Sequence, residues 1–127
     1  MDVEALTAYC LGKPGAWLDN PFHEDHPLVK VAPGERGKIF AFLGTETVGV
    51  KCGASREVAD EWLLRYPDDA SVMAYIGRSG WNSLRHDGAI PEDEVLEAID
   101  ESYRLVVEKL PKRLRPEGWA DAIGAGG

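Results

Sequence analysis

Apolar positions recur along this chain in two periods, and the switches between them outline the elements. Val3, Leu6 and Cys10 fall on one helical stripe with Tyr9 beside it, which predicts an amphipathic first helix. Gly12 stands where a C-terminal cap belongs, and Pro14-Gly15 ends the element. Residues 16–27 follow neither period and contain Asn20-Pro21 and His26-Pro27, so they read as loop. A period of two then takes over. Leu28, Val29 and Val31 predict a short strand that Pro33-Gly34 turns. Lys38-Ile39-Phe40-Ala41-Phe42-Leu43 is the most strand-like run, Gly44-Thr45-Glu46 makes a hairpin loop, and Thr47-Val48-Gly49-Val50-Lys51-Cys52 alternates as a half-buried strand does. An antiparallel meander is the natural reading.

The helical period returns behind Ser55, a good N-cap, with Val58, Trp62 and Tyr66 at helical spacing and Ala59 and Leu63 beside them. Tyr66-Pro67 closes that helix. Residues 71–75 predict a fourth strand and residues 81–86 a fifth, with Gly77 and Gly80 bracketing the turn between them and Asp87-Gly88 ending the second. Pro91 suits the first position of a last helix, and Glu92-Asp93-Glu94 set carboxylates against the positive end of its dipole. Val95, Ile99, Tyr103, Val106 and Leu110 form its buried stripe, and Pro111 stops it. The order predicts a single α+β domain over residues 1–111. It has two layers, an antiparallel sheet of about five strands packed against N-terminal, middle and C-terminal helices. Residues 112–127 read as a basic, then Gly-rich, tail.

With 127 residues the chain can bury one core, and no apolar run approaches the ~20 residues of a membrane span. The acidic, polar start predicts no secretory signal, so a cytoplasmic monomer is expected. Cys10 and Cys52 read as small buried hydrophobes, since no C-x-x-C pair occurs.

The net charge of −8 opposes any polyanionic partner unless the charge is segregated. It is. The strand region carries Lys30, Arg36, Lys38, Lys51 and Arg56 against Glu35 and Glu46, and farther on Arg78 and Arg85. The acids collect on the second and third helices. That pattern predicts a basic face or edge on the sheet, although Lys and Arg on the free face of a sheet are most often only a solvated surface.

No catalytic set emerges. His23-Glu24-Asp25-His26 resembles metal ligands, but no distant residues complete a site, and a solvated loop is the better reading. Ser83, His86 and Asp87 are neighbours in sequence only, and Ser83 lacks a nucleophile elbow. No glycine-rich phosphate loop lies between a strand and a helix. Tyr75, Trp81 and Arg85, interleaved with Arg78, have the types that stack on bases or grip a backbone. Trp81 reads as core, which leaves Arg78 and Arg85 as contact candidates, with Asn82 beside them. The expectation is a non-enzyme without metal or cofactor.

Several segments in a fixed order resemble the MmcQ/YjbR-like family of small bacterial proteins. They are Tyr9-Cys10, Lys13-Pro14-Gly15-Ala16, Gly37-Lys38-Ile39-Phe40-Ala41, Lys51-Cys52, Gly80-Trp81-Asn82-Ser83, Asp87-Gly88-Ala89-Ile90-Pro91, Ser102-Tyr103 and Leu110-Pro111. The resemblance spans roughly residues 3–111. Where the family often places a basic residue or histidine before the tryptophan, this chain has Gly80. The resemblance implies a frataxin-like α+β fold with a double-wing motif, described as DNA-binding. On that footing Lys38, Lys51, Arg78 and Arg85 neutralise phosphates of double-stranded DNA, Asn82 is a further contact, and hairpins such as Gly44-Thr45-Glu46 act as wings. The alternatives are a protein-interaction or small-ligand module on the free sheet face, or a metal-binding module using Glu92-Asp93-Glu94.

Overall fold

The computed structural model describes residues 1–20 and 27–124. In chain order they form α1 (Val3–Leu11), β1 (Ala16–Asp19), β2 (Leu28–Val31), β3 (Lys38–Leu43), β4 (Thr47–Lys51), α2 (Arg56–Arg65), β5 (Ala70–Val72), β6 (Trp81–Arg85), α3 (Glu92–Glu108) and α4 (Trp119–Gly124). Short 3-10 turns occupy Gly34–Arg36, Gly77–Ser79 and Lys112–Leu114. The strands make one antiparallel sheet of order β1-β2-β3-β4-β6-β5, so the α+β class is as expected with six strands instead of about five. No helix among the described residues is long and apolar enough to cross a membrane.

The additional strand is β1, within the segment read as loop. It is a four-residue edge strand whose order comes from pairing with β2 and not from any alternation of its own. Trp17 Nε1 donates to the Ala32 carbonyl at 2.8 Å, and the Lys30 ammonium meets Asp19 at 2.7 Å across the pair. The second departure is at the C-terminus. Residues 112–124 are not a free tail: Leu114 and Trp119 pack against the core, and the Arg115 guanidinium donates to the carbonyls of Leu110 and Glu108 at 3.1 and 2.7 Å. Of its basic residues Arg115 closes the end of α3, while Lys112 and Arg113 stay exposed.

Helix starts follow local chemistry. Asp2 accepts from the Ala5 N–H at 2.9 Å at the head of α1, and Ser55 caps α2 through the Val58 N–H. Pro91 is the residue before α3 and not its first residue, while Glu92, Asp93 and Glu94 fill the first turn. The stripe of Val95, Ile99, Tyr103, Val106 and Leu110 is buried as its spacing requires. Helices α1 and α2 flank α3 on one face: Tyr9 donates to Asp100 and Tyr66 to Glu94, each at 2.7 Å.

Register decides what lies beneath the helices. Val48 opposes Leu84, Val50 opposes Asn82 and Ala41, and Leu43 opposes Val48, and all of these are buried. Strand β3 breaks the alternation. A register shift against β2 turns both Phe40 and Ala41 inward, and Phe40 meets Tyr103 edge-on with ring centroids 5.2 Å apart. The opposite face carries Phe42, Gly49 and Ser83, with Met73 lying over Gly49 where a Cβ would stand. The basic residues do not tile that face. Apart from Lys30 and Arg85, the strand cations Lys38 and Lys51 meet at one end of the sheet.

Candidate anion-binding site

Strand β3 begins, β4 ends and β6 begins at the same end of the sheet, with Lys51 opposite Trp81. The C-terminal half of α3 reaches the same place. There the β3–β4 ladder stops after Ala41 and Val50, and the next backbone groups do not pair with each other. The hydroxyl of Ser102, fully buried on α3, bridges them: its Oγ accepts from the Lys51 N–H at 2.9 Å and donates to the Phe40 carbonyl at 2.6 Å. A helix side chain thus substitutes for one rung of the sheet.

Beyond this bridge lies a cavity of about 240 Å³, lined by Lys38, Ile39, Lys51, Trp81, Leu105, Val106, Lys109 and Leu110. Its walls are largely apolar and its polar groups are ammonium ions. Lys51 is only 6% exposed, and burial together with the nearby Lys109 charge holds its pKa below the ordinary lysine range. Among the described residues no hydrogen bond or ion pair reaches the side chains of Lys38, Lys51 or Lys109. Trp81 is fixed edge-on against Phe42, with centroids 5.6 Å apart. A second hollow, lined by Glu35, Arg36, Pro111 and Leu114, shares Lys38, Lys109 and Leu110 with the first.

The expected contact residues separate. Lys38 and Lys51 come together in this cavity. Arg78 is exposed on the Gly77–Ser79 turn that leads into β6, at the same end but outside the cavity. Arg85 is at the other end of β6, held by Asp87 at 3.0 and 3.2 Å and facing the charges of Glu46 and Asp69. The Gly44-Thr45-Glu46 hairpin shares that end, where the Glu46 carbonyl accepts from the His86 N–H.

Asn82 requires a correction. It is wholly buried on the helix face, where its amide donates to the Ala59 carbonyl at 2.9 Å and its oxygen accepts from Arg56. No partner outside the fold can reach it. Arg56 is a structural cation too: it also binds Asp60 and the carbonyls of Gly77 and Trp81. Gly80 has a backbone reason to replace a basic residue before the tryptophan. Its φ is +101°, and a Cβ there would stand 2.2 Å from the Gly53 carbonyl oxygen. Lys109 and the apolar lining from α3 were not singled out by pattern, because a lysine closing a helix is unremarkable in sequence.

The other sequence candidates do not assemble. Burial pushes the thiols of Cys10 and Cys52 up to about 12, and both are unpaired, so they behave as small hydrophobes. His86 is buried with its ring nitrogens 3.0 Å from the carbonyl oxygens of Met1 and Gly44, and Asp87 is engaged by Arg85. Among the described residues no three His, Cys, Asp or Glu side chains form a metal-sized group. Glu94 is taken by Arg65 and Tyr66. His23-Glu24-Asp25-His26 lies outside the described residues.

Comparison with known proteins places the fold among relatives. The family model described as YjbR matches residues 11–105. The uncharacterized protein YjbR of Escherichia coli (strain K12) is 26% identical over 117 residues, covering 91% of this chain and 95% of that protein, and the protein of Escherichia coli O157:H7 matches equally. The crystal structure of Deinococcus radiodurans protein DR2400, which carries the family-model domain DUF419, superposes with a TM-score of 0.79 at 20% identity. That match covers 97% of this chain and 88% of the other.

Proposed function

The chain belongs to the YjbR family, and from that premise we propose that it is a non-enzymatic module that takes the phosphate backbone of double-stranded DNA on the basic end of its sheet. The observation that supports this reading is a contrast in pairing. Exposed Arg36, Lys38, Arg78, Lys109, Lys112 and Arg113 surround that end and, among the described residues, have no side-chain hydrogen bond or ion pair. Cations elsewhere, such as Arg85 and Arg104, are held by carboxylates.

The net charge of −8 is unevenly placed: at this end Glu108 is held by Arg104, and Glu35 lines the hollow shared with Lys38 and Lys109. The acidic first turn of α3 is separated from Lys109 by the length of the helix, about 25 Å at 1.5 Å per residue, which is roughly three screening lengths of ~8 Å at physiological salt. Contacts of this kind hold phosphates and read no bases, so the recognition is of duplex charge and shape. The Gly44-Thr45-Glu46 hairpin is at the opposite end and takes no part in this reading. A cytoplasmic location accompanies the reading.

Fluorescence anisotropy with a labelled duplex at two salt concentrations tests it. Binding is expected at low salt, with log affinity falling by about 0.9 per tenfold salt increase for each neutralised phosphate. Arg78→Glu combined with Arg113→Glu removes binding without altering the circular dichroism spectrum, and Arg85→Glu leaves binding intact. No binding at low salt, or binding indifferent to the double reversal, overturns the proposal.

A further inference from the structure

Lys51 is the feature that the duplex reading leaves unused. The Lys51 side chain is almost entirely buried while its ammonium keeps contact with solvent and has no protein partner, a partial desolvation that a methionine of similar length would avoid. Here the charge points to chemistry, because it does not stand alone. Lys38 and Lys109 line the same cavity, so three like charges border one small apolar space with no carboxylate among its lining residues. An anion placed among them would offset their mutual repulsion.

The remaining lining sets the other half of the ligand. Ile39, Trp81, Leu105, Val106 and Leu110 offer apolar contact, and Trp81 presents an immobilised aromatic wall. At about 240 Å³ the space is smaller than the ~300 Å³ lower bound for drug-sized ligands. Lysines act as point charges and lack the planar fork of arginine, so a compact anionic head suffices. We propose that this cavity binds a small amphipathic carboxylate, its head among Lys38, Lys51 and Lys109 and a single ring or short chain against Ile39, Trp81 and Leu105.

Lys38 and Lys109 serve both readings, but Lys51 and the apolar lining belong to this proposal alone and Arg78 and Arg113 to the duplex reading alone. The Ser102 bridge explains how the space exists at all: it keeps β3 and β4 joined where their own ladder has ended, so the gap next to it stays open without exposing unpaired backbone.

Phenylacetate, 2-phenylethanol and inorganic phosphate are the probes, followed by amide and Trp indole resonances in NMR titrations of the full chain. Phenylacetate is expected to shift the Trp81 indole and the Leu105 and Val106 amides saturably. The neutral alcohol should bind at least about tenfold more weakly, the equivalent of ~1.4 kcal/mol. Phosphate, which lacks the apolar half, should bind at least about tenfold more weakly than phenylacetate, and equal binding overturns the proposal. Lys51→Met should weaken phenylacetate about tenfold or more; if that variant does not fold, Lys109→Met, at an exposed position, gives the same comparison with a smaller loss. Equal binding of acid and alcohol, unchanged affinity in the lysine variants, or no saturable shift at these residues overturns the proposal. Because Arg78→Glu with Arg113→Glu should leave phenylacetate binding unchanged, failure here and failure of the duplex reading are separately visible.

Discussion

At the Arg85 end of the sheet the guanidinium is gripped by both oxygens of Asp87, while at the Lys51 end Lys38, Lys51 and Lys109 have no acidic partner among the described residues. The first end goes further in satisfying itself: Asp69 accepts from the Ala89 N–H through its carboxylate at 2.7 Å and from the Arg85 N–H through its carbonyl at 2.8 Å. Polar groups there shape the turn between β6 and α3. The other end holds both kinds of cation side by side, because Arg56 is fully engaged with Asp60, Asn82 and two carbonyls. Sequence distance to an acid does not separate structural from available charge. The partners that the fold brings to each group do.

Removing a structural polar group from the basic end should produce the largest effect. Asn82→Ala strands the Ala59 carbonyl and one branch of Arg56 in the interior, and should cost about 3 kcal/mol at 1–3 kcal/mol for each abandoned group. A shift in the chemical denaturation midpoint at unchanged slope measures it. A negligible shift would mean that the burial of Asn82 is not needed.

Removing an available charge should act in the opposite direction. Lys51→Met should stabilise the ligand-free protein by about 1 kcal/mol, because it removes a partly desolvated ammonium that has no protein partner. The sign with pH follows from the lowered pKa of Lys51: between that value and the ordinary lysine value the unfolded chain binds more protons, so native stability rises with pH across this window. The variant should lose that rise. Denaturation midpoints of both proteins across alkaline pH provide the check, and parallel curves would contradict it.

The smallest effect belongs to Arg85→Ala. The pair with Asp87 is exposed, so thermal unfolding should show no resolvable change despite its bidentate geometry. A clear loss of stability would make the turn more dependent on this pair than its exposure implies.

The parts of the fold that announce themselves in sequence are those stabilised by their own pattern. The α3 stripe and the Ser55 cap needed no distant partner to be recognised, whereas β4 was found as a strand but is buried on both faces and not half-buried as its alternation suggests. Elements ordered by a neighbour were opaque. Strand β1 has four residues and borrows its structure from β2, and residues 112–124 read as solvated until α3 is present to receive them. The candidate site was half legible. Lys38 and Lys51 were identifiable as strand cations, but strand alternation does not reveal that Lys51 is buried at the end of β4 beside α3. Asn82 failed for the reverse reason: a polar residue in a strand reads as surface, and only the fold supplies the carbonyl and guanidinium that make an interior amide favourable.

The hydroxyl of Ser102 has one more consequence. Strands β3 and β4, at the centre of the sheet, share the register pairs Ala41–Val50, Phe42–Gly49 and Leu43–Val48, which makes a short seam. The last stitch of that seam belongs to a helix. The Lys51 amide proton is therefore shielded from solvent exchange by the docking of α3 and not by strand pairing, which makes it a one-atom gauge of the clasp between the layers.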